Sequence, residues 1–281
     1  MAERNLSDSK TAIFLYNIYG KGYVLRDSIT EGIALIFLFR SLFSFHLQGL
    51  LSSCPVFPHS VPPDKLRRFC AEYNIENPHN ISLQEFSDYL LNLFDEIRAL
   101  RGELIEIHEH TFLRYVLEHF NMKLSVSIED AEWIMWNGIS RGCMTPGADQ
   151  MLASLREQGI RTGIISNLCW SGDALTKRLK ENFPEHQFEF VMTSSEYIFR
   201  KPEKNIFDLA VRKSGCSADE IWYCGNDVEV DVLGAYGAGI FPVWYDDRSV
   251  PSKFYEKNDS FSIDFPHLRI NSWNELIQYT E

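Results

Sequence analysis

The stretch IWYCGNDVEVDVLGAYGAG, residues 221–239, decides how the rest of this chain is read. Ile221, Trp222, Tyr223 and Cys224 make a short apolar run suited to a buried strand, and Gly225 closes it. Asn226 and Asp227 follow at once, with Glu229 and Asp231 close behind. A helix-like segment then carries Gly234, Ala235, Gly237, Ala238 and Gly239, small residues that let a helix pack close to a sheet. An open parallel sheet presents polar groups in this way at its carboxyl edge, where such folds bind ligands. Taken alone, the stretch also fits an ordinary strand–turn–helix crossing with solvated acids.

Working outward, apolar runs at 161–165, 188–192, 221–224 and 241–245 read as strands, with a last short one at Ile270. Between them, Met151, Leu152, Leu155 and Arg156 lie on a helix that Gly159 ends, and 171–182 and 205–214 read as two more helices. A final short helix begins at Trp273. Strands alternating with helices over 145–281 predict βαβ units and a parallel sheet. Far upstream, TAIFLY at 11–16 is a lone run of strand length, followed by Asn17, Ile18, Tyr19, Gly20, Lys21 and Gly22. It needs a sheet to join, and the later strands supply one.

The intervening residues have a different character. Long apolar-periodic stretches run over 33–51, 83–98, 103–120 and 128–136. Ser82 with Glu85 reads as a capping box, and Ser127 with Asp130 as a weaker start signal. The expected organisation is an α/β core built from residues 1–21 and 143–281, with residues 22–142 inserted as a helical domain. The run at 33–51 is interrupted by Arg40, His46 and Gln48, which are costly in a bilayer core, so it reads as a buried helix rather than a membrane span.

The chain has 281 residues and 45% hydrophobic content, ample for a real core. Its 27 basic and 39 acidic residues leave a net charge of -12, which disfavours nucleic acid and anionic membranes as partners. Six cysteines are scattered without a CxxC pair, and the opening MAERNLSDSK carries no signal peptide. Both observations predict a reducing, cytoplasmic setting.

Four strand ends offer polar groups: Asn17 and Tyr19; Ser166 and Asn167; Lys201 just ahead of a helix; and Asn226, Asp227 and Asp231. In a parallel sheet these ends share one edge, so the groups can converge. A lysine, a hydroxyl and helix N-termini together suit an anion such as phosphate. Each residue has a plainer reading as well. Ser166 and Asn167 are good helix caps, Lys201 could be solvated, Asn17 and Asp231 are ordinary turn residues, and Tyr19 could be an aromatic packed on the helical domain. His108, Glu109 and His110 do not read as a metal site, because residues two apart point to different faces of a helix. Cys224 ends an apolar strand and reads as a small buried residue.

Pro146-Gly147 leading to Gly163-Ile-Ile-Ser166-Asn167, then Lys201-Pro202-Glu203 with Ile206-Phe207, then 225–239, resembles the haloacid dehalogenase (HAD) superfamily of phosphatases and dehalogenases. The resemblance implies a Rossmann-like parallel-sheet core with an inserted α-helical cap, and hydrolysis of a phosphoric-ester or carbon–halide bond. It lays the family's catalytic positions over Asn17, Tyr19, Ser166, Lys201 and Asp231. It lays ligand-binding positions over Lys21, Asn167 and Asn226, and leaves Asp227 as a candidate metal ligand. The cofactor it implies is Mg2+, and the partner a small phosphorylated or anionic molecule.

The departures from the family pattern carry their own expectation. The attacking aspartate falls on Asn17 and the magnesium-binding aspartate on Asn226, and a carboxamide is a poor nucleophile and brings no charge to a hard cation. The phosphatases' general acid falls on Tyr19. The expected function is therefore a hydrolase-like protein, weak or inactive in hydrolysis, that keeps an anion pocket. Two alternatives stay open: an active phosphatase or dehalogenase using Asp227 or Asp231 in altered roles, and a scaffold that binds a partner through its helical domain.

Overall fold

A computed structural model describes residues 33–38, 42–45, 51–52, 76–139, 143–248 and 254–280. A seven-stranded sheet organises them, in the order β6-β5-β1-β2-β7-β8-β9. Its strands are β1 (Ile33–Leu38), β2 (Leu42–Phe45), β5 (Arg161–Ser166), β6 (Val191–Thr193), β7 (Trp222–Gly225), β8 (Phe241–Tyr245) and β9 (Leu268–Ile270). A separate two-stranded piece pairs β3 (Leu51–Ser52) with β4 (Cys143–Met144). The pairs β5–β6, β7–β8 and β8–β9 are parallel, as the alternation of strands and helices predicts.

Both faces of this sheet are covered. Ile164, Trp222, Cys224 and Val243 belong to one buried cluster with Leu152, Leu155, Leu175 and Trp273. Ile165 and Tyr223, their strand neighbours, belong to a second cluster with Phe207, Ala210 and Ala235. Successive side chains of a strand point to opposite faces, so continuous apolar strands mean a sheet with helices on both sides. Those helices are α4 (Ala148–Glu157), α5 (Gly172–Asn182), α7 (Lys204–Ser214), the short α8 (Leu233–Gly237) and α10 (Trp273–Gln278). Their ends carry the expected signals: Ser171 caps α5 by accepting from the Ala174 amide at 3.1 Å, and Gly215 ends α7 with φ 70°.

A helical region of its own precedes the sheet's later strands. It contains α1 (Leu83–Arg101), α2 (Glu109–His119) and α3 (Ile128–Ile139), packed around Phe86, Phe112, Leu113, Val116, Leu117 and Ala131. Ser82 accepts from the Glu85 amide at 3.1 Å, as its spacing predicts. The helix expected over 103–120 begins only at Glu109; the residues before it are extended, and Ile105 bridges antiparallel to Phe199.

The sequence reading fails over 33–51. That span holds β1, β2 and the start of β3 instead of a buried helix, and β1 and β2 fill the centre of the sheet between β5 and β7. β1 runs antiparallel to β5, with Ile33 opposite Ser166 and Leu38 opposite Arg161, so the sheet is mixed at its centre. An unbroken apolar run gives no periodicity to separate a buried strand from a buried helix. Residues 11–16, expected as the lone strand, lie outside the described residues, as do 21, 22 and 142 at the expected domain borders. Among the described residues no helix is long and apolar enough to cross a membrane.

Candidate functional site

The carboxyl ends of β5 and β7 bring Ser166, Asn167, Asn226, Asp227 and Asp231 to one edge, and the loop ahead of α7 brings Lys201 to the same place. Ser166, Asn167, Lys201, Asp227 and Asp231 are all buried. Asn17, Tyr19 and Lys21 lie outside the described residues.

Asn167 does not cap a helix. Its amide nitrogen donates to the Lys201 carbonyl at 2.8 Å, and its carbonyl accepts from the Lys201 amide at 2.7 Å. Two hydrogen bonds to one residue's backbone hold Lys201 in register with the end of β5. The Lys201 ammonium then donates to Asp231 Oδ1 at 3.0 Å, with both side chains fully buried. The Tyr223 hydroxyl donates to the same oxygen at 2.8 Å, and the Asp227 amide donates to Asp231 Oδ2 at 3.1 Å. Asp231 lies on a π-helical turn, Val228–Val232, which Asp227 caps by accepting from the Val230 amide at 3.0 Å.

A second clamp comes from farther along the chain. In α9 (Phe254–Asp259), the Lys257 ammonium donates to both oxygens of Asp227, at 2.9 and 2.7 Å, and lies 3.1 Å from Glu229. Asn258 accepts from the Val228 amide at 3.0 Å and donates to the Asn226 carbonyl at 2.5 Å. The side-chain oxygen of Asn226 is buried and finds no hydrogen-bond partner among the described residues. Burial is the largest influence on the charged groups. It drives Lys201 down to about 8 against the opposing pull of Asp231, and Asp231 up to about 7 against Lys201. It also raises Asp227, with Lys257 opposing, and pushes the Tyr223 hydroxyl and the Cys224 thiol well up.

This donor set does not fit Mg2+. Asp227, the expected metal ligand, has both oxygens on the Lys257 ammonium, Asp231 is shared among Lys201, Tyr223 and a backbone amide, and Asn226 offers a neutral carbonyl. Among the described residues no cluster of three or more His, Cys, Asp or Glu is arranged to hold a metal. Magnesium is normally held through carboxylate oxygens in near-octahedral geometry.

A family model described as haloacid dehalogenase-like hydrolase matches residues 103–244. The chain belongs to that family. A glyceraldehyde 3-phosphate phosphatase of Methanothermobacter thermautotrophicus is 34% identical over 99 residues, 34% of this chain and 41% of that protein. A phosphoserine phosphatase of Thermus thermophilus is 30% identical over 101 residues, 36% of this chain and 40% of that protein. The matches to these two relatives thus span less than half of their length. A glyceraldehyde 3-phosphate phosphatase of Methanocaldococcus jannaschii is 24% identical over 217 residues, 75% of this chain and 86% of that protein. Among solved structures, the 2-haloacid dehalogenase of Pseudomonas syringae pv. tomato superposes with a TM-score of 0.50 at 19% identity, covering 82% of this chain and 93% of that one. This likeness is one of fold.

Of the residues that the sequence singles out, Ser166, Lys201 and Asp231 are gathered at one edge, while Asn167 turns to the Lys201 backbone. Tyr223, Lys257 and Asn258 also belong to this network, although sequence reasoning missed all three. Tyr223 looks like one more apolar strand residue until its hydroxyl is placed, and Lys257 and Asn258 sit past the last motif with no spacing to flag them. His108, Glu109 and His110 make specific contacts at the joint of the helical region and the core. His108 caps α2 by accepting from the His110 amide at 3.1 Å, and His110 Nε2 lies 3.0 Å from Glu132. Glu109 is buried with its amide donating to the Cys169 carbonyl at 2.9 Å.

Proposed function

We propose that this chain binds a small phosphorylated or anionic molecule at the carboxyl edge of its sheet and hydrolyses it weakly or not at all. The observation that carries this reading is the wholly buried Lys201, fixed at the backbone by Asn167 and at the ammonium by Asp231. Lysine is seldom buried so completely without a partner that needs its charge. In this reading Lys201 and the Ser166 hydroxyl face the anion, Lys21 adds charge, and the helical region around residues 76–139 acts as a cap; residues 33–45 of the expected insert at 22–142 lie in the core sheet instead. Several relatives are named for small phosphorylated substrates, which supports the ligand class. The scattered thiols support a cytoplasmic setting.

The weakness of hydrolysis rests on Asn17 at the nucleophile position and Asn226 at the metal position. The alternative of Asp227 or Asp231 as the attacking group is less favoured, because Lys257 and Lys201 respectively occupy their oxygens. A thermal-shift panel of phosphate esters and inorganic phosphate, run on wild type and Lys201→Met, tests the binding. At least one anion should stabilise the wild type and lose that effect in the variant. Absence of any shift would end the proposal, and rapid phosphate release by the wild type would end its second half.

A further inference from the structure

We propose that Glu106, from the helical region, is a positioning residue for Lys201, so that the anion site is complete only when the segment 103–108 is docked on the core. This rests on the reading of Lys201 as the anion's positive centre. Glu106 lies in the extended stretch between α1 and α2, and its carboxylate is buried. One oxygen, Oε2, accepts from the Ser194 hydroxyl at 3.0 Å and pairs with the Arg200 guanidinium, the residue before Lys201. The other, Oε1, lies 3.5 Å from Arg101. Ser194 in turn accepts from the Leu168 amide at 2.8 Å, one residue past Asn167.

One carboxylate therefore ties together the loop that leads into Lys201 and the loop that leaves Asn167, the same two segments that Asn167 joins on the site's side. The backbone repeats the connection. The Glu106 amide donates to the Ile198 carbonyl at 2.7 Å, and the Arg200 amide donates to the Leu104 carbonyl at 2.8 Å. The stretch so gripped is a strained one. Ile198 holds φ 68° and ψ -52°, and the Phe199 amide donates back to Tyr197 at 2.7 Å, closing a γ-turn on a β-branched residue. Such a conformation persists only where surrounding contacts over-determine it, and the contacts here come from 104–106. Loss of the Glu106 charge leaves Arg200 buried without its carboxylate, and the loop has reason to relax with Lys201 on it.

The test compares wild type with Glu106→Gln, Glu106→Asp, Arg200→Lys and Glu132→Gln. Glu132 is a control for general loss of packing, since it is equally buried and also joins the helical region to the core. It reaches Ser171, whose amide and hydroxyl donate to it at 2.5 and 2.6 Å. Two quantities are measured: the dissociation constant for inorganic phosphate, and hydrogen exchange of the amides at 199–201. Glu106→Gln should weaken phosphate binding by about tenfold or more and speed exchange at those amides by a similar factor, the effect of one lost buried charged contact. Glu106→Asp should restore part of both. Glu132→Gln should lower Tm while leaving both nearly unchanged. Should Glu106→Gln fail to fold, Arg200→Lys, which keeps the charge but loses the planar fork, carries the same expectation. Unchanged exchange at 199–201 in the folded variants overturns the proposal whether or not phosphate binds. A wild type that binds no phosphate refutes the anion reading instead, and the exchange data still decide the role of Glu106.

Discussion

At Glu109 a carboxyl is enclosed at the junction of the helical region and the core, with Glu132 near it and His108 and His110 on either side in sequence. Burial, with the Glu132 charge adding, drives its pKa up to about 8. A carboxyl whose folded pKa is raised contributes its full stability below the unfolded value, about 4.3, and loses it as pH rises toward the folded value. Stability should therefore fall between about pH 4.3 and 8 and level off above that. Glu109→Gln removes the titration, so its Tm should vary less with pH in this window and exceed the wild-type Tm above pH 8. A thermal melt series across pH checks this, and parallel curves for the two proteins would exclude Glu109 as the source. At the same scale, legibility divides by how a residue announces itself. Lys201 and Asp231 stand at motif positions after strands and could be read from the chain. Tyr223 and Glu106 could not, since one hides in an apolar strand and the other in a stretch read as helix.

Among the elements, α8 shows why the small residues of the opening stretch matter. Gly234 packs so that an added Cβ would meet the Phe207 ring at 2.8 Å and Pro202 at 3.2 Å. The close approach is to the segment that carries Lys201, rather than to the sheet as the sequence suggested. Gly234→Ala should cost about 1–3 kcal/mol by overpacking and should weaken anion binding, because the Phe207 ring must shift and Pro202, next to Lys201, is crowded as well. Denaturant unfolding together with phosphate titration measures both, and a stable variant with unchanged binding would place the strain elsewhere. The helices α4, α5, α7, α8 and α10 were legible because strand and helix periods alternate there and glycines and caps punctuate them, whereas α9 was not. The span 33–45 was not. Its run of Ile, Leu and Phe suits a strand buried on both faces as well as a helix, and only the sheet's open centre decides between them.

For the whole molecule, the proposed weakness of hydrolysis makes a prediction of its own. The edge retains a lysine, a serine and acids, with an ammonium from α9 neutralising Asp227. In the proposed reading, Asn17→Asp puts a carboxylate where the resemblance lays the family's nucleophile, but leaves Asn226 and the Lys257 clamp in place. Its phosphate release should stay far below that of a competent phosphatase, since nucleophile and metal site act as a unit and their losses do not add independently. A fully active single variant, measured by phosphate release with and without added magnesium, would contradict this. The sheet's centre bears on a different property of the molecule. Ile33 pairs with Ser166, and Ser44 pairs with Tyr223, so the two middle strands are supplied by an early segment and their neighbours by a much later one. Contacts this distant in sequence must close a long loop before they are rewarded, which slows folding. During synthesis β1 and β2 emerge long before β5 and β7 exist to flank them, and an apolar hairpin waiting in that way invites association with other chains. The helical region, whose contacts are local, can form in the meantime, and the carboxyl edge of the sheet is assembled last.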